Sequence, residues 1–182
     1  MSISTGMGDG GRTRLLSGEE VLKSSSRTST CGDLDEAVSM MGLARALTEV
    51  DRIGEHIHAI QKVCFIIGAE LAASSPTASS LKVRLDDNHL KSLEELGQEL
   101  EEDVALPPVF IIPGGTPASA ALDVARTVVR RVERSVVSLV QEEEHALTNP
   151  HIMPYLNRLS DVLFLLARLE EKSQGLVYDR VR

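Results

Sequence analysis

From Thr116 to about residue 145 the chain repeats apolar residues at Ala121, Ala125, Val128, Val132, Val136 and Leu139. That spacing marks one face of an α-helix of about 3.6 residues per turn. Thr116-Pro117 precedes it: a hydroxyl suited to capping, then a proline at the first helical position, where no backbone N–H is required. A helix this long with one apolar face must bury that face. Aromatic residues are only 3% of the 182, with no Trp, so the covering core has to be aliphatic.

The same period recurs elsewhere. Ile53, Ile57, Ile60, Cys64, Ile67 and Leu71 form a second stripe, ended by Ala72-Ala73-Ser74-Ser75-Pro76. Leu90, Leu93, Leu96 and Leu100 mark a weaker helix over about 86–103. Asp33 followed by Glu36 resembles a capping box opening a first helix, with Leu34, Val38 and Met41 behind it. Asn149-Pro150 repeats the start signal for a last helix running to about 173. Between the third and fourth helices lies Leu106-Pro107-Pro108-Val109-Phe110-Ile111-Ile112-Pro113-Gly114-Gly115, an apolar run too short and too proline-bound for a central strand. Residues 1–30 are rich in Gly, Ser and Thr and show no sustained period. The expectation is one all-α domain without a credible strand: a five-helix antiparallel bundle of ferritin-like type over 31–182, preceded by an irregular segment over 1–30.

Charge and cysteine content narrow the function classes. A net charge of −8 argues against nucleic acid or an anionic membrane as a global partner. No apolar run approaches the roughly 18 residues of a membrane span. The start lacks the charged and apolar regions of a signal peptide, and two cysteines fit a reducing compartment, so a cytoplasmic protein is expected. His56 and His58, two apart, diverge on a helix. His89, His145 and His151 have no ligand partners at a metal-binding spacing. Neither Cys31 nor Cys64 has a basic activator nearby in sequence, so no protein nucleophile is indicated.

The charged residues of the fourth helix are more informative. Arg126, Arg130 and Arg134 stand at i, i+4 and i+8, with Arg131 beside them. Like charges at that spacing cost about 0.2–0.5 kcal/mol per pair. Such a face is either solvated or meets anions: carboxylates across an interface, or a polyphosphate held by guanidinium forks. On the last helix Asn157 and Asp161 share a face, and with an Arg-bearing neighbour Asn157, Arg158 and Asp161 could complete a polar pocket. At the other end of the chain, Gly6-Met7-Gly8-Asp9-Gly10-Gly11 satisfies G-x-G-x-x-G. It lacks the preceding strand and following helix of a dinucleotide site. It reads either as a flexible tail or as a backbone nest for phosphate oxygens.

Taken in order, these motifs resemble the PduO-type ATP:cob(I)alamin adenosyltransferases over nearly the whole length. The family's T-K-T-G-D-x-G-x-T opening is similar to Thr5-Gly6-Met7-Gly8-Asp9-Gly10-Gly11-Arg12-Thr13, and its Gly-Glu-to-Lys element to Gly18 through Lys23. Its G-x-x-D-E-L segment is similar to Gly32-Asp33-Leu34-Asp35-Glu36-Ala37. Its F-x-x-P-G-G loop matches Phe110 through Gly115, its A-R-T-x-x-R-R-x-E-R helix matches Ala125 through Arg134, and its Y-L-N-R-L-S-D matches Tyr155 through Asp161.

The resemblance implies a helical bundle assembled as a homotrimer with sites between subunits. The substrates would be ATP and cob(I)alamin, with Mg²⁺, and the products adenosylcobalamin and triphosphate. A cobalamin-dependent acceptor enzyme would be a further partner. The resemblance places Thr5, Gly8, Asp9, Gly11, Arg12, Thr13 and Lys23 near the phosphates. It gives Arg130, Glu133 and Asn157 the nucleotide, with Glu133 as metal ligand. It pairs Arg126 with Asp35 across the interface, sets Phe110 against the corrinoid face, and gives Asp161 the support of the pocket.

The chain also departs from the pattern. The family's loop lysines stand here as Gly6 and Gly10, its threonine before Gly8 as Met7, and its arginine after Glu19 as Glu20. Its acidic residue ahead of G-x-x-D-E is Ser29, and its histidine in L-H-x-A-R is Asp123. Arg12 and Arg14 are expected to compensate in part for the lost lysines. The competing expectation is a cobalamin carrier or sensor with weakened ATP turnover.

Overall fold

The computed structural model describes residues 4, 6–73 and 75–179. Its elements are β1 (Arg12–Arg14), β2 (Glu20–Leu22), α1 (Ser26–Leu47), α2 (Asp51–Leu71), α3 (Ser75–Ser79), α4 (Asp87–Val104), α5 (Pro117–Glu142) and α6 (Ile152–Ser173). The five long helices are those the periodicity predicts, and α3 is a short addition after α2.

Each long helix reverses the direction of the one before it, as cross-helix bonds show. Gln61 of α2 donates to the Val38 carbonyl of α1 at 2.9 Å, and Arg45 meets His58. Arg52 at the start of α2 bonds Asp103 at the end of α4 at 2.7 Å. Asp33 of α1 accepts from Ser135 of α5, while Ser26 meets Glu142. Along α5 and α6, Glu133 faces Asn157 and Asp123 faces Arg168. The bundle therefore has two poles. One gathers the start of α1, the end of α2, the end of α5 and the start of α6. The other gathers the 105–116 loop, the start of α5 and the end of α6.

The core is aliphatic, as required. Ile53, Ile57, Ile67, Leu122, Val129, Val132, Leu156 and Leu163 are all fully buried. The Thr116 cap behaves as predicted: its hydroxyl accepts from the Ser119 N–H, Ser119 Oγ accepts from the Thr116 N–H, and Pro117 opens α5.

Three expectations are corrected. First, two strands exist. β1 and β2 pair antiparallel, Arg12 opposite Leu22 and Arg14 opposite Glu20, and the Leu16 N–H donates to the Ala72 carbonyl at 2.9 Å, tying the hairpin to the end of α2. Second, α1 starts at Ser26, capped by Ser25, and Asp33 lies inside it. Third, α6 starts at Ile152. Asn149 is turned away from the helix to donate to Glu70 and to the Leu85 carbonyl, while its Oδ1 accepts from the His151 N–H. Among the described residues no helix is long and apolar enough to cross a membrane.

Candidate active site

The α5 arginines have different fates. Arg131 is occupied within the chain, by Asp33 at 3.2 Å and by Glu36. Arg126 Nε donates to Asp123 at 3.2 Å. Arg130 and Arg134 are exposed and, among the described residues, form no ion pair. Four like charges in one stretch are thus two neutralised and two available.

A cleft of about 470 Å³ opens where α5 meets α6 and the end of α4. Arg126, Arg130 and Asp161 line it with the apolar Leu106, Phe164 and Leu165. The lining therefore combines an apolar patch with two arginines and two exposed carboxylates, Asp161 and Glu101. One turn further along α5, Glu133 accepts a 3.1 Å hydrogen bond from Asn157 Nδ2. The structure thus brings Arg126, Arg130 and Asp161 together and sets Glu133 with Asn157 beside them.

Phe110 does not line this cleft. It projects from the 105–116 loop 84% exposed, at the same pole. Asp35 on α1 is also exposed and has no ion pair within the chain among the described residues.

The N-terminal hairpin lies at the opposite pole. Thr5 is outside the described residues. Gly6 and Gly11 take positive φ, +69° and +75°, in two successive turns closed by Asp9 N–H to the Gly6 carbonyl and Gly11 N–H to the Gly8 carbonyl. A side chain at either glycine would be strained there. Lys23 folds over this loop: its ammonium lies 2.7 Å from where a Cβ on Gly8 would stand. Thr13 sits in the ladder opposite Val21, and Asp9 is exposed.

Arg12 is engaged within the hairpin. Its Nε pairs with Glu20 Oε1 at 3.2 Å, so the glutamate that stands for a family arginine also neutralises the arginine meant to compensate. Arg14 and Lys23 remain as cations without ion pairs among the described residues. Replacing Glu20 by alanine should free Arg12. Because exposed pairs are worth about 0.2–1 kcal/mol, the apparent KM for ATP is expected to fall by up to about fivefold. An unchanged or higher KM in steady-state assays would show that Arg12 does not face the nucleotide.

Beside the hairpin, Ser24, Ser26, Ser29, Thr30, Arg134 and Ser138 line a polar recess of about 250 Å³. The serine run signals only irregular structure in the sequence, and its hydroxyls line this recess because α1 begins early enough to set them against α5. The cysteines remain inert. Burial pushes the Cys64 thiol up to about 12, and it raises Cys31 despite the nearby Arg27.

The cobalamin adenosyltransferase family model matches residues 3–170. The chain belongs to this family. A corrinoid adenosyltransferase of Citrobacter freundii is 37% identical over 170 residues, covering 93% of this chain and 94% of that one. A cobalamin adenosyltransferase of Cupriavidus metallidurans is 39% identical over 184 residues, covering 95% and 90%. Among solved structures, a phenylalanine-to-histidine variant of the PduO-type ATP:corrinoid adenosyltransferase from Lactobacillus reuteri, complexed with cobalamin and ATP, superposes with a TM-score of 0.91. It is 30% identical and is covered to 97% by the whole of this chain. An arginine-to-lysine variant of the same enzyme, complexed with ATP, gives 0.89 at 31% identity, with 99% and 100% covered. The similarity in sequence and in fold therefore extends over essentially the whole chain.

Proposed function

We propose that this chain transfers the 5′-deoxyadenosyl group of ATP to cob(I)alamin. In that reaction the cobalt attacks C5′, the Co–C bond forms, the C5′–O bond breaks, and triphosphate leaves with the electron pair. The observation that carries the reading is Arg130: an exposed guanidinium without an ion pair among the described residues, one turn from Arg126, over a cleft whose lining includes the apolar Leu106, Phe164 and Leu165. The phenylalanine and arginine varied in the Lactobacillus reuteri structures have the same spacing along the chain as Phe110 and Arg130 here.

The attacking cobalt is itself the nucleophile, so what the protein supplies is placement and charge. Arg130 and Lys23 would neutralise the triphosphate. The exposed Phe110, on a loop stiffened by prolines, would keep water from the corrinoid face. Asp161 would hold the cleft arginines in place.

The residues present also fit Mg²⁺, which takes one or two carboxylates and completes its shell with phosphate and water. Glu133 offers one carboxylate, and its bond from Asn157 fixes the orientation while leaving the second oxygen open. Among the described residues no cluster of three metal-ligating side chains forms an all-protein cage. When bound, the ion would add positive charge at the leaving phosphates.

The poles support a homotrimer. The hairpin and Phe110 lie at opposite ends of one bundle, and α5 between them spans about 39 Å at 1.5 Å per residue. One nucleotide cannot meet both within one chain. A neighbouring subunit that brings its hairpin to this cleft would complete the site, and Asp35, exposed and without an ion pair among the described residues, would meet Arg126 across such an interface. A cytoplasmic location and a cobalamin-dependent acceptor enzyme complete the proposal.

The deciding assay incubates the protein with ATP, Mg²⁺ and cobalamin under strong reductant and follows the spectrum. Adenosylcobalamin is the expected product. The Arg12–Glu20 pair favours one second reading, a cobalamin carrier with weak ATP turnover, and cobalamin bound without product would establish that instead.

A further inference from the structure

We propose that Arg168 is a positioning residue for the cleft, one that touches no ligand and acts through two carboxylates. Its side chain, on α6, is 0% exposed. Its Nη2 donates to Asp123 Oδ2 at 2.6 Å and to Glu171 Oε1 at 2.9 Å. Its Nε and Nη1 are buried with no hydrogen-bond partner among the described residues. The guanidinium carbon lies 5.0 Å from the centre of the Phe164 ring, a cation–π distance.

Each carboxylate continues to an element of the site. The second oxygen of Asp123 accepts from Arg126 Nε at 3.2 Å, and Arg126 lies 6.0 Å from the same Phe164 ring that walls the cleft. Glu171 Oε1 also accepts the Gly115 N–H at 3.2 Å. A Cβ on Gly115 would lie 2.8 Å from the Glu171 carboxyl carbon, so the contact requires glycine there. Gly115 closes the loop that carries Phe110. Arg168 therefore joins two groups in series: through Asp123 the cleft arginine, through Glu171 the loop.

Bulk stability does not account for this arrangement. Buried ion pairs are often no better than well-packed apolar residues of the same volume. A buried fork with two of its nitrogens idle is poor packing chemistry. It does set distances and angles, because arginine stays charged and its planar geometry fixes both partners. Asp123, the position where the resembled family has histidine, supplies the link to Arg126, so this relay belongs to this chain's own residues.

The inference rests on the adenosyltransferase reading, and its test separates the two. Arg168→Lys keeps the charge and loses the fork. The measurements are the thermal midpoint, kcat, the KM for ATP, and the dissociation constant of cobalamin by spectral titration. Misplacing a reacting group by about 1 Å can cost as much as 10²-fold. For this indirect effect the expected change is a roughly tenfold weaker cobalamin dissociation constant, with the KM for ATP within twofold of the parent. A merely structural role would reduce the active fraction, and with it kcat, and leave both constants unmoved; that outcome overturns the proposal. If Arg168→Lys does not fold, Glu171→Gln should give the same selective shift, and parent-like cobalamin binding in that variant also overturns it. A parent protein that binds cobalamin and makes no adenosylcobalamin would sink the transfer reading alone, since the dissociation constants would still decide the role of Arg168.

Discussion

Replacing Arg130 by alanine is expected to lower kcat/KM by about 10²- to 10³-fold, the effect of removing one donor aimed at charge that develops in the transition state. That corresponds to about 2.7–4 kcal/mol of transition-state stabilisation. The helix should not suffer. Arg130 is exposed, has no ion pair among the described residues, and shares the face with like charges, so alanine removes repulsion and keeps helix propensity. The melting transition should therefore match the parent while turnover collapses. Arg131→Ala provides the contrast, since Arg131 is engaged with Asp33 and Glu36 and its loss should touch packing between α1 and α5 more than catalysis. Near-normal turnover in Arg130→Ala would remove the proposed phosphate role.

The second large effect concerns stability. Arg27 is 5% exposed and ties the start of α1 to the end of α2 and to the turn after α5. Its Nη1 donates to the Leu71 and Ala73 carbonyls at 2.8 and 3.1 Å. Its Nε and Nη2 meet Glu143 Oε2 at 3.1 and 2.6 Å, and Nη2 also reaches the Ala146 carbonyl at 3.4 Å. Arg27→Met keeps most of the volume and leaves the carbonyls without their donor. Glu143 is 42% exposed and would be largely rehydrated, so little of the loss comes from a stranded charge. The cost is then set by the buried carbonyls, about 3 kcal/mol in all. For a chain of this size that is a fall in Tm of about 6–12 °C. A denaturant titration showing less than about 1 kcal/mol would mean that water replaces the guanidinium.

The helices were legible where a pattern is local. The stripe from Ala121 to Leu139 and the Thr116-Pro117 cap are carried by neighbours three and four apart, and both appear as read. The start of α1 was not. Ser24 to Thr30 reads as irregular because serine and threonine are poor helix formers, and what holds the first turn is Arg27, whose partners lie 44 to 119 residues away. Asn149 misled for the same reason: it has a cap residue's chemistry, yet the buried Glu70 claims its amide. Strands of three residues are too short to show alternation.

The site divides along the same line. The motif helix of α5 was readable as a cationic face. That Arg131 is occupied and Arg130 free depends on how α1 lies against α5, which no spacing within α5 reveals. Asp123 read as a departure from the family pattern, and its value appears only against Arg168, 45 residues on.

The alternating direction of the helices has a consequence for how this chain can change. The hairpin and the Phe110 loop are joined only through the length of the bundle, and among the described residues no hydrogen bond or ion pair links them directly. The nucleotide and corrinoid duties proposed for them would thus fall to regions free to drift independently. A hairpin that exchanges lysine for glycine, and sets a glutamate against its own arginine, can loosen its grip on a nucleotide while the far end stays fully built. That is the pattern seen here: the substitutions of the N-terminal loop lie at one pole, while the cleft pole keeps Phe110, Arg126 and Arg130 and departs from the family pattern at Asp123.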